Sequence, residues 1–398
     1  MMISRDSNIF AGSSNALAAN RFFIFPPPEN RAMNAPIIPE HAHRYNRQEA
    51  LELLTDLPMG ELMTLAHQER SRRFPDGRAT FVVDTNPNYT NVCATGCKFC
   101  AFYRKATDKD AYLLEPDELA GKVEAAVAAG ATTVLLQGGH NPKVGLTDWQ
   151  AYITTIQKNC PDVHIHPFSP AEIAFMAKKE TCTIEDVLKT LWDAGIRTIP
   201  GGGAEILTEP VRRIIAPHKA STDQWLQVCE IGHEIGFKTT ATMMYGHVES
   251  NADIVDHLLR LRAVQDRSGG FTSFIPWSFK PGNTPLARQV KRRSHPGRYV
   301  RIIAMARLVL DNFDHIQSSW FSESISAGQL GLLAGADDFG GVLVEEHVHK
   351  AAGHDRQATP DNVATIIRRA GFTPSQRDSY YRIIETFDPP APMGTGRS

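Results

Sequence analysis

Phe81-Val82-Val83-Asp84-Thr85-Asn86-Pro87-Asn88-Tyr89-Thr90-Asn91-Val92-Cys93-Ala94-Thr95-Gly96-Cys97-Lys98-Phe99-Cys100 runs from a short β-branched segment into a polar loop with cysteines spaced CxxxCxxC. Phe81-Val82-Val83 predicts a strand, and the rest predicts the loop at its end. Downstream, short apolar runs alternate with helical stretches, each pair taking roughly 30 to 45 residues. Further strand candidates are Thr133 to Leu136, Val163 to His166, Arg197 to Ile199, Lys238 to Met244, Phe271 to Ile275, His315 to Ser318 and Ala336 to Phe339. Eight is the strand number of a closed (β/α)8 barrel of TIM type. Repeated βα units demand a parallel sheet with right-handed crossovers. Among the helical stretches, Pro116 to Ala129 has a proline suited to the first helical position, and Gly130 suits the helix end.

Barrel chemistry gathers at the C-terminal ends of the strands. The polar, glycine-rich segments fall there: Asn88 to Cys100, Gln137-Gly138-Gly139-His140, Pro167-Phe168-Ser169, Gly201 to Glu205, Tyr245-Gly246-His247 and Trp277 to Pro285. The rim is the predicted site.

The flanks bound a single domain over residues 41–387. Residues 1–40 mix Ser, Asn, Ala and a Pro26-Pro27-Pro28 run without a sustained period, which predicts a poorly ordered extension, with Met33 as a candidate start. Arg47 to Arg73 predicts two short helices broken at Pro58-Met59-Gly60. A helical segment follows the barrel, and the Pro- and Gly-rich residues 388–398 predict a disordered tail.

Lys plus Arg total 42 against 44 Asp plus Glu, so no field of one sign is present to gather nucleic acid or acidic lipid. No apolar run is long enough to span a membrane, and no signal peptide is apparent. The expectation is a soluble, cytoplasmic protein with a small-molecule partner. Six cysteines in 398 residues are too sparse for a disulfide scaffold, and three of them fall within eight residues. That clustering points to metal chemistry in a reducing compartment.

Three thiolates can each hold one iron of a [4Fe-4S] cluster and leave the fourth iron open, whereas clusters that only carry electrons normally have four cysteines. The open iron is a site for a small chelator, and the amino and carboxylate groups of S-adenosylmethionine (SAM) suit it. A structural zinc site is the rival, but it usually wants four Cys or His ligands. Cys160, Cys182 and Cys229 lie on predicted helices or their edges.

With these residues in view, the chain resembles the radical SAM superfamily, in the branch holding biotin synthase, the deazaflavin cofactor synthases and the futalosine-pathway enzymes of menaquinone biosynthesis. The resemblance is carried by Asn88 to Arg104, Ile199 to Leu207, Thr239 to Glu249, Gln265-Asp266, Gly269 to Thr272 and Phe274 to Trp277. It is strongest to the cyclic dehypoxanthinyl futalosine synthases. It implies the (β/α)8 barrel, a [4Fe-4S] cluster on Cys93, Cys97 and Cys100, SAM, an external one-electron reductant, and dehypoxanthine futalosine as substrate. The implied reaction starts with hydrogen abstraction from C4′ of the ribose, continues with attack on the benzoate ring, and ends with loss of one electron and one proton. His140, Asp337 and Phe321 to Ser326 depart from the family pattern.

The candidate cofactor contacts are Phe99 against the adenine, Gln137, Gly138 and Gly139 at the methionyl end of SAM, and Glu205 toward ribose hydroxyls or an ammonium. Met244 and Gly246, with Thr242 and Glu249, match the spacing of the adenine-contacting segment in radical SAM barrels. The proton lost requires a base, with His166, His247, Asp338 and Glu205 as candidates. The benzoate requires a donor: Ser169, Tyr245 or an arginine. His164 and His166 face one side of a strand, as the metal-binding HxH of amidohydrolases does. Rival readings are aminofutalosine synthase, a deazaflavin-type synthase, and a zinc or iron–sulfur protein without SAM turnover.

Overall fold

Every strand of the predicted barrel is present in the computed structural model, which describes residues 43–344, 351 and 358–387. The readings of residues 1–40, of the tail 388–398, and of His347 and His349 lie outside the described residues. The barrel strands are β1 (Arg78–Thr85), β2 (Thr133–Leu136), β3 (His164–Pro167), β4 (Thr198–Ile199), β5 (Lys238–Tyr245), β6 (Phe271–Ser278), β7 (His315–Ile316) and β8 (Asp338–Leu343). All their pairings are parallel. β8, β1, β2 and β3 form one run of ladders and β4, β5, β6 and β7 another. A Gln317–Asp338 bridge ties β7 to β8.

Among the described residues no ladder joins β3 to β4. β4 is two residues long and runs into Pro200, which has no N–H to donate. Side chains close the seam instead: His164 Nε2 and His166 Nδ1 each lie 2.7 Å from Thr198 Oγ1. The HxH pair is therefore committed across the seam.

Helices α1 (Arg47–Thr55) and α2 (Met59–Arg73) precede the barrel, broken where Pro58 predicts. Arg70 of α2 is buried under the barrel, donating to the carbonyls of Ala336 and Arg78 at 2.8 and 2.7 Å, which fixes the starts of β8 and β1. The outer ring is α3 (Pro116–Ala128), α4 (Leu146–Asn159), α5 (Pro170–Glu180), α6 (Ile184–Asp193), α7 (Glu209–Ile215), α8 (Thr222–Ile235), α9 (Asn251–Ser268), α10 (Pro296–Val309) and α11 (Ile325–Leu333). Pro116 opens α3 as expected, and Gly130 beyond its end has φ +99°. No helix of the described residues is long and apolar enough to cross a membrane.

The C-terminal segment departs from the helical expectation. After α12 (Pro360–Arg369) come two strands, β9 (Thr373–Arg377) and β10 (Ile383–Thr386). β9 pairs in parallel with the first half of β1, from Arg78–Thr373 to Phe81–Gln376, and β10 pairs antiparallel with β9. The sequence Thr373-Pro374-Ser375-Gln376-Arg377 has no apolar alternation, yet Ser375, Gln376 and Arg377 are buried. The strand forms because the foot of β1 offers a free edge, which is a tertiary cause and leaves no local pattern.

Candidate active site

The loop after β1 is held at many points. Cys93 N donates to Arg104 O at 3.0 Å, Arg104 N to Asn91 O at 2.7 Å, Lys98 N to Ile215 O at 2.8 Å and Ala94 N to His140 O at 3.0 Å. The Gln137-Gly138-Gly139 turn backs against it. A Cβ on Gly139 would lie 2.2 Å from Val92 O, so only glycine allows the two loops to touch. The Gly139 and Gly138 amides are already spent, on Thr90 O at 2.9 Å and Glu172 Oε1 at 3.0 Å. The turn therefore has no free N–H at Gly138 or Gly139 to offer the site, although both glycines and Gln137 line it.

Cys93, Cys97 and Cys100 line one cavity of ≈ 230 Å³, with Phe99, Gln137, Gly138, Gly139, Ser169, Glu172, Glu205 and Lys219 among its other walls. Cys93 Sγ receives His140 N at 3.3 Å and lies 3.0 Å from Thr95 Oγ1. Burial pushes the Cys97 thiol up to about 11, against the pull of Lys219, and a bound metal would favour the thiolate. Glu205 adopts φ +48°, a strained backbone for a glutamate, and its carboxylate accepts from Lys219 Nζ at 2.8 Å.

A second cavity of ≈ 330 Å³ fills the barrel interior below and shares Gln137, Gly202, Gly203, Glu205 and Trp277 with the first. Its walls alternate along the strands: Val82 and Asp84 of β1, Thr133 and Leu135 of β2, Thr240 and Thr242 of β5. Arg377, Ser379 and Tyr381, from β9 and the turn after it, also line it. Arg377 pairs with Asp338 through Nε–Oδ2 and, at 3.1 Å, Nη2–Oδ1, while the Tyr381 ring stacks on His315 at 3.6 Å.

The radical SAM superfamily pattern matches residues 88–261, and the CofH/MqnC C-terminal region matches 268–389. The cyclic dehypoxanthine futalosine synthase of Streptomyces coelicolor is 38% identical over 351 residues, covering 87% of this chain and 88% of the relative. The 5-amino-6-(D-ribitylamino)uracil–L-tyrosine 4-hydroxyphenyl transferase of Methanopyrus kandleri is 40% identical over 334 residues, 82% and 90% of the two chains. The chain belongs to the radical SAM superfamily. The crystal structure of methylornithine synthase shares its fold, with a TM-score of 0.63 at 17% identity over 83% of this chain and 93% of that one.

Radical SAM enzymes use a [4Fe-4S] cluster and SAM, and the three cysteines fit that group. Among the described residues no three His, Cys, Asp or Glu side chains converge as a single ion requires. A four-iron cube does not need that convergence, because each cysteine takes a different iron. Cys93, Cys97 and Cys100 would hold it, and with SAM bound it supplies one-electron cleavage of the sulfonium to a 5′-deoxyadenosyl radical.

Of the other residues read from the sequence, Phe99, Gln137, Gly138, Gly139, Ser169 and Glu205 line the cysteine cavity, and His166 lines the interior one. Ser169 caps α5 and donates to Glu172 Oε2 at 2.7 Å. His166 is buried and held neutral, its pKa driven down by burial first and by His164 and Arg377 next. Five of the predicted site residues are not brought to either cavity. Tyr245 shares the outward face of β5 with Ala241 and Met243 and is buried in the hydrophobic core, because the strand's period of two sends Thr240 and Thr242 inward. Met244 and Gly246 do not line either cavity: Met244 lies near the end of β5 within the hydrophobic core, and Gly246 lies in the turn after it, where Glu249 accepts from Gly246 N at 2.6 Å and His247 N at 2.8 Å. His247 is turned onto Met244 O at 3.0 Å. Asp338 is occupied by Arg377, by Thr80 Oγ1 at 2.7 Å and by Gly340 N at 2.9 Å, leaving no free oxygen for a base.

Sequence reasoning missed Lys219, Glu172, Asp84 and Arg377. Glu172 was legible as the fourth residue of the Ser169-Pro170-Ala171-Glu172 capping box, whereas Lys219, Asp84 and Arg377 reach the site by tertiary placement. Of the departures from the family pattern, Asp337 is absorbed by Arg307 and, at 2.6 Å, His315 Nδ1. His140 is buried beside the cysteines and its pKa is lowered to about 3 by burial, then by Lys219. Phe321 and Ser322 line the interior cavity.

Proposed function

We propose that this radical SAM enzyme converts dehypoxanthine futalosine to cyclic dehypoxanthinyl futalosine in menaquinone biosynthesis. The observation that carries the reading is the joined pair of cavities, one lined by the three cysteines and the other filling the barrel interior. The cluster and SAM occupy the first, with Phe99, Gln137 and Glu205 beside SAM, and the substrate occupies the second. In the proposed reaction the ribose C4′ hydrogen is lost to the 5′-deoxyadenosyl radical, C4′ bonds to the benzoate ring, and one electron and one proton leave. Sugar and ring belong to one molecule, which suits a single interior cavity of ≈ 330 Å³. The catalytic unit is residues 41–387, working in the reducing cytoplasm with an external one-electron reductant.

The 40% identity to the methanogen transferase supports a second reading, in which the substrates are the two that its name gives. Anaerobic incubation with reductant, SAM and dehypoxanthine futalosine is expected to yield 5′-deoxyadenosine and the cyclised product. If neither forms from cluster-loaded protein, while L-tyrosine with 5-amino-6-(D-ribitylamino)uracil gives a coupled product, the second reading replaces the first.

A further inference from the structure

Among the described residues, four buried carboxylates lie at or beside the two cavities, and three have partners. Asp338 is held by Arg377, Thr80 and Gly340, Glu205 by Lys219, and Glu172 by Ser169 and Gly138. The fourth, Asp84 of β1, is 6% exposed and turns into the interior cavity, where its Oδ1 is sealed from solvent and receives no hydrogen bond. The strand across from it makes the room: a Cβ on Gly341 of β8 would lie 2.5 Å from that Oδ1. A buried carboxylate oxygen without a donor is costly, and such groups gather where chemistry uses them.

We propose that Asp84 is the interior base of the reaction, taking onto its carboxylate the proton that the aromatic ring loses after cyclisation. This rests on the cyclase reading. When C4′ bonds to the ring, the attacked carbon keeps its hydrogen and the ring is left as a cyclohexadienyl radical. The C–H bond then breaks, its proton forms an O–H bond on the Asp84 carboxylate, and its electron pair restores the aromatic sextet. The surplus electron leaves to a one-electron acceptor of the iron–sulfur class.

The charged and titratable groups facing Asp84 are Arg377 of β9, Asp338 of β8, His166 of β3, Tyr381 and Glu205. Burial pushes the Asp84 carboxyl up to about 7, with Arg377 pulling it down and Asp338 pushing it further up. Burial raises Tyr381 and lowers His166, and Asp338 keeps Arg377 above its ordinary value despite burial, so none of these three titrates near neutrality. Asp84 is thus poised where a general base works best.

The test compares wild type, Asp84→Asn, Asp84→Glu and Gly341→Ala, all cluster-loaded, scoring both 5′-deoxyadenosine and cyclised product. In Asp84→Asn, SAM cleavage continues while product per 5′-deoxyadenosine falls about 10²–10⁴-fold. Product formation by the wild type rises with pH through an inflection near neutrality that Asp84→Asn lacks. Asp84→Glu restores part of the rate, Gly341→Ala lowers it, and the apo Asp84→Asn protein melts no lower than wild type at pH 8. Wild-type product yields in Asp84→Asn, or an unchanged inflection, overturn the base assignment alone. A wild-type protein that forms no cyclised product overturns the cyclase reading and the assignment with it.

Discussion

Lys219 Nζ donates to Glu205 Oε1 at 2.8 Å, and both side chains are almost wholly buried beside the three cysteines. Burial alone would lower the lysine, but Glu205 first and Cys97 next push it above its ordinary value of 10.5. A raised lysine contributes its stability below the unfolded pKa and loses it only as pH climbs through the folded one. The pair therefore holds across the neutral range. Lys219→Met leaves Glu205 buried and uncompensated, with an expected cost on the order of 3 kcal/mol, read from the urea midpoint of the apo protein. Unchanged stability would show the pair to be solvated.

Cys93→Ala, Cys97→Ala and Cys100→Ala are each expected to abolish SAM cleavage while the far-ultraviolet circular dichroism stays close to wild type. The cysteines sit on the loop after β1, outside the strands and helices of the barrel. Iron and sulfide content and 5′-deoxyadenosine yield measure the loss, and retained turnover in any one variant contradicts the cluster assignment.

Gly139→Ala pushes a methyl group into Val92 O and should displace the cysteine loop, lowering both iron content and stability, the latter by about 1–3 kcal/mol. Gly121 is the contrast: it lies inside α3 with nothing within 4 Å of its would-be Cβ. Gly121→Ala should stabilise by about 0.5–1 kcal/mol and leave iron content alone. Equal thermal shifts in the two variants would refute the close-approach argument.

Burial lowers His140 and His257 to about 3 and His233 to about 4, and drives His166 well down. These histidines are neutral in the folded state and take up protons only on unfolding. Their contribution is complete above the unfolded value of 6.5 and fades as pH falls toward the folded values. Each is expected to remove about 1.4 kcal/mol per pH unit below 6.5. Guanidinium titrations at pH 7 and pH 5 should differ by several kcal/mol; a flat profile would mean that these rings are hydrated.

Local pattern carried the reading furthest where it was apolar or covalent. The eight barrel strands were legible because β-branched runs recur with helices between them, and the cysteine site because three thiols within eight residues need no tertiary partner to be recognised. The reading weakened where the barrel becomes an active site. The first strand was read as ending at Val83, yet β1 continues through Asp84 and Thr85, and the sixth was read as ending at Ile275, yet β6 continues to Ser278. Polar residues that face a ligand cavity break the apolar pattern that announces a strand.

The sequence by itself determined the fold class, the cysteine loop and the family, because each rests on residues near one another in the chain. Only the tertiary structure decided that Lys219 answers Glu205, that β9 brings Arg377 to the interior, and that Tyr245 and Met244 stay outside both cavities. It also decided that the Oδ1 of Asp84, on the wall of the interior cavity, is left without a donor. Burial and pairing depend on which distant strands meet, and the chain's local periodicity does not encode that meeting.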